Sequence, residues 1–594
     1  MEVIQAFDFT GGQTGRLAAT HFTERQWAEL YGFVLDSDAQ LRAQWSWEPV
    51  GPPLGEPEPV DVSGRDDEAE AARAWLAGEL GVPVSGLQLT DYAVDAVFFL
   101  DGSGYDVYYY QFYRFSTDEW LYVYEEEGVF FQVSGHFSMD EDSPPLVAVQ
   151  VAHADDLLVA LDGDGRVWTA PMPAAAASLT SVRAISWTAL SGAPVDPNQR
   201  LAGLVPLPRS EQLGFVTGLL VNGAESDEAA FIVYDDGSGP AFKSYSDRYP
   251  TTESAGMPRA NLAAMWGDFL VLADIEWVED EDAAFGASNR SRYPHALWIS
   301  EPGQPDRWDV LRVAFTGVKD GMGAARIVGL ETVDAGLMVL TTTGVYLLRG
   351  LPSDFEYEEL RPGQGVTGTG AVSWWATTGA AAWVNDVGQL WHSDGRQFLR
   401  LDDLLELPAG EPGTAWVASL NEFLLFGRDG RTFAFRVYAE DGAWTELFAP
   451  DGFFGWFQFG PCLYGTAGGR VWRLNRVASP RGAIDGVPQT SRVTSRTFEG
   501  GDGHRLSFWR RYGLRAQPEA EGADLTSVTL FTGPALQSGV GSMSVPLLSG
   551  FGDRQELLVP GPGAALESSI RFEFVGDVTV EQVSAHYMQS RGSR

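Results

Sequence analysis

Between about Leu146 and Leu474 the chain repeats one pattern of apolar and polar positions: an apolar run, a short turn rich in Gly and Asp, then a strand carrying an aromatic residue. The copies read "DLLVALDGDGRVWTA", "GLMVLTTTGVYLLRG", "GAAAWVNDVGQLWHSDG", "NEFLLFGRDGRTFAFRV" and "PCLYGTAGGRVWRL", and "DFLVLADIEW…HALWIS" adds one with an enlarged turn. Their aromatics are Trp168, Trp298, Tyr346, Trp391, Phe433 and Trp472, the last five roughly 40 to 48 residues apart. That period is the length of a four-stranded propeller blade. A further copy is expected at "LGFVTGLLVNG…AAFIVYDDG", with Phe215 and Ile232 in its paired strands. The pattern predicts a β-propeller of six or seven blades over residues 144–477, with Gly165 and Gly469 in hairpin turns that favour positive φ and the following Trp packed between blades.

The flanks follow other rules. Residues 1–143 contain a hairpin-like pair, "WAELYGFVL" and "LRAQWSW", joined by a polar turn at Asp36 to Gln40, and then the linker "GPPLGEPEPV". Asp66 to Leu80 spaces Ala69, Ala72, Leu76 and Leu80 on one helical face, with acids in the first turn and Gly81 and Pro83 as stop signals. Strand patterns return from Leu87 to Phe137, so this part is expected to be a small α+β unit inserted in, or contributing to, the first blade. Residues 490–594 follow a Pro/Gly linker and alternate faces, as where Ile570, Phe572 and Phe574 interleave with Arg571 and Glu573. They predict an eight-stranded antiparallel sandwich, and the fold class is mainly β.

Charge narrows the partners. Of 594 residues, 40 are Lys or Arg and 81 are Asp or Glu, a formal net charge of −41, and Lys243 and Lys319 are the only lysines. A duplex binder neutralises phosphates with basic clusters, so tight nucleic-acid binding is not expected. A lone Cys462 leaves no internal disulfide and no CxxC metal site, and reads as a buried core thiol. No stretch reaches the roughly 18 apolar residues of a membrane helix, and the start "MEVIQAFDFTGG" has no export-signal pattern.

The usual chemical templates fail. An EF-hand beginning at Asp162 would need an oxygen ligand at Arg166 and a Glu at Pro173. The histidines, His21, His136, His153, His295, His392, His504 and His586, show no HxH or HExxH spacing, and GxSxG and GxxxxGK[ST] are absent. "SEPGQPDRW", Ser300 to Trp308, has Pro302 where a sialidase Asp box needs Asp. The acidic run "EWVEDED", Glu276 to Asp282, reads as a solvated loop. Paired carboxylates remain open, because among 81 acids some pair will be close on any propeller face. The expectation is therefore no catalytic, cofactor or metal residue. One basic and aromatic concentration stands out, "HRLSFWRRYGLR", and Arg505, Trp509, Arg510, Arg511 and Arg515 are candidates for a subunit interface, where Arg and Trp are favoured anchors.

"ALWISEPGQPDRWDV", "GLMVLTTTGVYLLRG" and "AAAWVNDVGQLWHSDGRQF", in this order and followed by "SVTLF…IRFEFVG…VEQVSAHY", resemble propeller proteins of bacteriophage virions. The resemblance covers about Leu297 to Tyr587 and points to the tail nozzle or tail-hub proteins of short-tailed phages; Met1 to Ser143 has no counterpart in it. It implies a non-enzymatic structural protein of the virion tail, a hexameric ring beneath the portal or adaptor, forming part of the DNA-ejection channel. Acidic walls suit that role, because phosphates would slide past without being held. The alternative is a propeller-based glycan-binding protein or glycoside hydrolase, since the scaffold hosts many activities.

Overall fold

The computed structural model describes residues 2–7, 27–36, 40–54, 66–80, 84–98, 104–133, 148–190, 206–244, 259–278, 290–315, 325–402, 415–499, 507–543 and 554–589, apart from short connecting stretches within these spans. Its centre is a β-propeller of seven four-stranded antiparallel blades. Blades one to six span residues 148–189, 206–244, 259–315, 327–362, 372–400 and 416–447. The seventh joins Phe454–Phe459, Cys462–Ala467 and Arg470–Asn475 to Ser46–Pro49, from near the N-terminus. The first strands of blades three to seven lie side by side, and that of blade one meets that of blade seven.

Continuous apolar runs, rather than alternating ones, mark the second strand of each blade for a physical reason. Such a strand is covered on both faces, so both sets of side chains must be apolar. Gly336–Thr341 illustrates it: Leu337 and Val339 pack with Val271 and Ala273 of blade three. Met338 and Leu340 pack the other way, with Ala381 and Trp383 of blade five. The aromatics of the repeat are divided among these interblade cores, Trp168 between blades seven and one and Trp472 between six and seven. In the copy "TAGGRVW", Gly468 and Gly469 have φ of 51° and 68°, as a two-residue hairpin turn requires. Gly165 lies outside the described residues. Ile232 lies in a paired strand of blade two, as expected, opposite Leu220; Phe215 lies outside the described residues. Helix within the propeller, among the described residues, is limited to Leu179–Arg183.

The expected boundary at residue 143 does not divide the fold, which is a correction to the sequence reading. Glu2–Phe7, Phe33–Leu35 and Leu41–Ala43 join Ser507–Pro518, Gln555–Ala565 and Val578–Gln589 in a six-stranded sheet. Glu29–Tyr31 bridges Asp441–Leu447, the outer strand of blade six, to Thr490–Thr494, so blade six and the facing sandwich layer form one ten-stranded sheet. The C-terminal sandwich is therefore completed by N-terminal strands, with Trp27, Leu30, Phe33 and Leu41 in its core beside Ile570, Phe572 and Phe574. Only 66–133 behaves as the expected α+β unit. Helix Asp66–Leu80 lays Ala69, Ala72 and Leu76 against a meander of four strands, Leu87–Phe98, Gly104–Arg114, Glu119–Glu126 and Val129–Val133. It follows the closing strand of blade seven and precedes blade one.

Candidate interface

Ser507–Pro518 is an inner strand of the six-stranded sheet, between Gln555–Ala565 and Val578–Gln589. One layer of that sheet faces the sandwich core, so alternate residues must be apolar. Trp509, Tyr512, Leu514 and Ala516 take those places. Leu514 is two positions from both Ala516 and Tyr512, but Tyr512 is three positions from Trp509. The register shift between Trp509 and Arg511 accounts for the extra residue. This bulge leaves Arg510 and Arg511 both exposed.

The candidate segment is thereby split. Trp509 is 1% exposed and packs with its ring centroid 4.8 Å from that of Tyr587, tilted by 40°, inside the sandwich, so it is a core residue and cannot anchor a partner. Arg515 is partly buried, opposite Glu556 and Gln582. Arg505 lies outside the described residues. Arg511 approaches His586, with Nε 3.5 Å from Nδ1. Sequence reasoning missed Phe508, Met588 and Leu558, exposed by 49%, 37% and 45%. Phe508 stands directly opposite Met588 across the strand pair. Counting period 2 outward from Tyr512 would have flagged a conflict at Trp509, the one legible sign of the bulge.

Several charges elsewhere hold strands together. The Glu48 carboxylate is buried against Arg473 Nε, while Arg473 also donates to the carbonyls of Ala174 and Ala177 at 3.0 Å. Asn475 Nδ2 adds bonds to Glu48 and to Ala175 O. The loop between the third and fourth strands of blade one is thus pinned to blade seven. At the weld with the sandwich, Arg431 forks onto Glu446 at 2.8 and 2.7 Å, and Arg571 reaches Glu29 at 3.0 Å.

Asp162, the first residue of the apparent calcium loop, is a turn cap: it accepts from the Arg166 amide at 2.8 Å and from Trp168 Nε1 at 2.7 Å. Asn385 and Thr341 take the same place in blades five and four, accepting from Gln389 N and Gly344 N. Three residues of the acidic run, Glu276 to Val278, end a strand instead of forming a loop; residues 279–282 are not described. Cys462 is buried as expected, and burial pushes its thiol up to about 11. Among the described residues, no group of three or more His, Cys, Asp or Glu could hold a metal, and no helix is long and apolar enough to cross a membrane.

A cavity of about 600 Å³ lies between blade seven, the loop Ala175 to Leu179 and the sandwich. Two of its three acids are held by neighbours, Glu48 as above and Asp577, whose Oδ2 accepts the Arg481 amide at 3.0 Å, while Glu521 is exposed. Burial pushes the Asp577 carboxyl up from its ordinary range, opposed by that hydrogen bond.

No protein-family model matches the chain, and no curated protein matches it in sequence. Solved structures with a similar arrangement are remote. YCF48 from Cyanidioschyzon merolae is 12% identical, with a TM-score of 0.32 over 56% of this chain and 97% of that one. The Pan2 WD40 domain of Neurospora crassa is 8% identical, with a TM-score of 0.32 over 56% and 90% of the two chains. Chaetomium thermophilum Raptor is 10% identical with a TM-score of 0.34, and this chain, matched over 56% of its own length, spans 28% of that protein.

Proposed function

We propose that the protein is a non-enzymatic subunit of a phage tail, a nozzle or hub ring through which DNA leaves the particle. The reading starts from the sequence resemblance over Leu297 to Tyr587. One structural observation carries it further: blade six continues through Glu29–Tyr31 into the sandwich as a single hydrogen-bonded sheet. Interdomain linkers usually allow relative motion. A continuous sheet, tied at the join by the partly exposed Arg431–Glu446 and Arg571–Glu29 pairs, does not, and such a rigid block suits a part that must hold its shape around a channel under load.

The passage itself belongs between subunits. The first strands of the blades, "AVQVAHA", "RANLAAMW", "IVGLETV", "VSWW", "WVASL" and "FGWFQF" among them, are nearly uncharged, so the propeller's own centre is not the acidic wall. A hexameric ring places the acidic outer surfaces around a common axis, where a charge of −41 per chain repels the phosphate backbone. Portal or adaptor proteins are the expected axial neighbours. Imaging of intact particles tests this. Density for the chain as a closed ring on the tail axis is expected; a single-copy decoration of the capsid, or absence from particles, would defeat it.

A further inference from the structure

Self-assembly of a chain this acidic needs a local patch of opposite character, because identical surfaces of charge −41 repel. The outer face of the six-stranded sandwich sheet supplies one. Phe508 and Met588 form an exposed apolar pair, with Arg510 and Arg511 beside them and Leu558 farther along. Over Gly513 a Cβ would meet Ser584 Oγ first, then the side chains of Leu558 at 3.7 Å and His586 at 3.8 Å, so Leu558 and His586 flank this glycine with Ser584 between them. The neighbouring edge strand, Gln555–Ala565, contains Pro560 and Pro562 and so lacks two amide donors. Strand addition at that edge is disfavoured, which leaves the face.

We propose that this face docks onto a second copy of the chain, at the acidic outer strand of blade four. That strand, Asp354–Pro362, reads "DFEYEELRP" and is, among the described residues, an edge of its sheet, with Glu356, Glu358 and Glu359 exposed. Glu358 is paired with Arg349 at 2.6 Å and Glu356 stands opposite the same Arg349, which leaves Glu359, opposite Tyr346 on the other face of the strand, for a partner's arginine. The sandwich grows from blade six, two blades from this strand. The two surfaces are thus different parts of the chain, as a head-to-tail contact that closes into a ring requires. The choice of a second copy as occupant rests on the ring reading above. Phe508 and Met588 supply the desolvated centre, and the Arg–Glu contacts set register and encounter rate.

The test uses the full chain, with sedimentation over a concentration series at low and high salt and cross-linking between isotopically distinct copies. Phe508→Ser, Arg511→Glu and Glu359→Arg are all at exposed positions and are each expected to weaken self-association about tenfold or more, with unchanged melting. Arg511→Glu and Glu359→Arg together in one chain are expected to restore most of it. Intermolecular cross-links should join residues 508–515 to 354–362. A wild-type chain that stays monomeric throughout overturns the inference, as does capture of a different acidic protein by this face without self-association. Variants that associate like the wild type, through cross-links elsewhere, overturn this docking pair while leaving the ring reading standing. A single copy per particle would remove both.

Discussion

Gln44 holds Phe448 by both of its polar ends: Nε2 donates to the Phe448 carbonyl at 2.8 Å, and Oε1 accepts the Phe448 amide at 2.8 Å. The two residues are 404 positions apart, and Gln44 is fully buried. Trp47 Nε1 donates to the same carbonyl at 2.8 Å. The N-terminal segment thus locks the exit of blade six just before it supplies the last strand of blade seven.

Replacing Gln44 by Leu should strand a buried amide and weaken the hold on that carbonyl, at a cost of about 1–3 kcal/mol. Denaturant titration should show a lower midpoint with an unchanged slope. A midpoint equal to the wild type would mean that this clamp adds nothing.

Glu48 and Arg473 are both buried, so breaking the pair should hurt more than deleting it. Glu48→Gln or Arg473→Met alone is expected to cost about 3–5 kcal/mol, because one charge is left without its counterpart. The double variant should recover part of that loss. A double-mutant cycle reads the coupling directly, and additive effects would contradict the buried-pair account.

Trp509 and Arg511 are two positions apart and should respond in opposite ways. Trp509→Ala is expected to cost about 3–5 kcal/mol by leaving a cavity against Tyr512 and Tyr587. Arg511→Glu, on the exposed side of the bulge, should leave thermal unfolding within about 0.5 kcal/mol of the wild type. Equal melting of the two variants would refute the register described for this strand.

Glu331 lies on the first strand of blade four, and burial alone pushes its carboxyl from 4.5 up to about 8. A folded-state value above the unfolded one means that the fold holds this proton more tightly. The contribution therefore favours folding below about pH 4.5 and is lost as pH rises toward about 8. Glu331→Gln should stabilise the protein at neutral pH, by on the order of 1–3 kcal/mol, and flatten that part of the pH profile. Melting curves of both chains between pH 5 and about 8.5 decide it; a variant less stable than wild type at pH near 8 would contradict it.

The blades were legible in the sequence because their cause is local. A strand covered on both faces must be apolar throughout, and a two-residue return must have residues that accept positive φ. Leu157–Asp162, Phe423–Arg428 and Cys462–Ala467 carry that requirement in their own letters. The helix Asp66–Leu80 was readable for the same reason, since Ala69, Ala72 and Leu76 share one face at any tertiary placement. Strand partnership across hundreds of residues is a different matter. Nothing in "SWEP" says that it pairs with Arg470–Asn475, because backbone hydrogen bonds carry no side-chain signature and the segment's length fits any sheet edge. The assignment of residues 2–7 and 29–43 to the sandwich was hidden likewise. The bulge after Trp509 shifted a period-2 pattern by one residue, which is enough to exchange core and surface. Only the packed sheet decided that Trp509 points inward while Phe508 and Arg511 meet solvent.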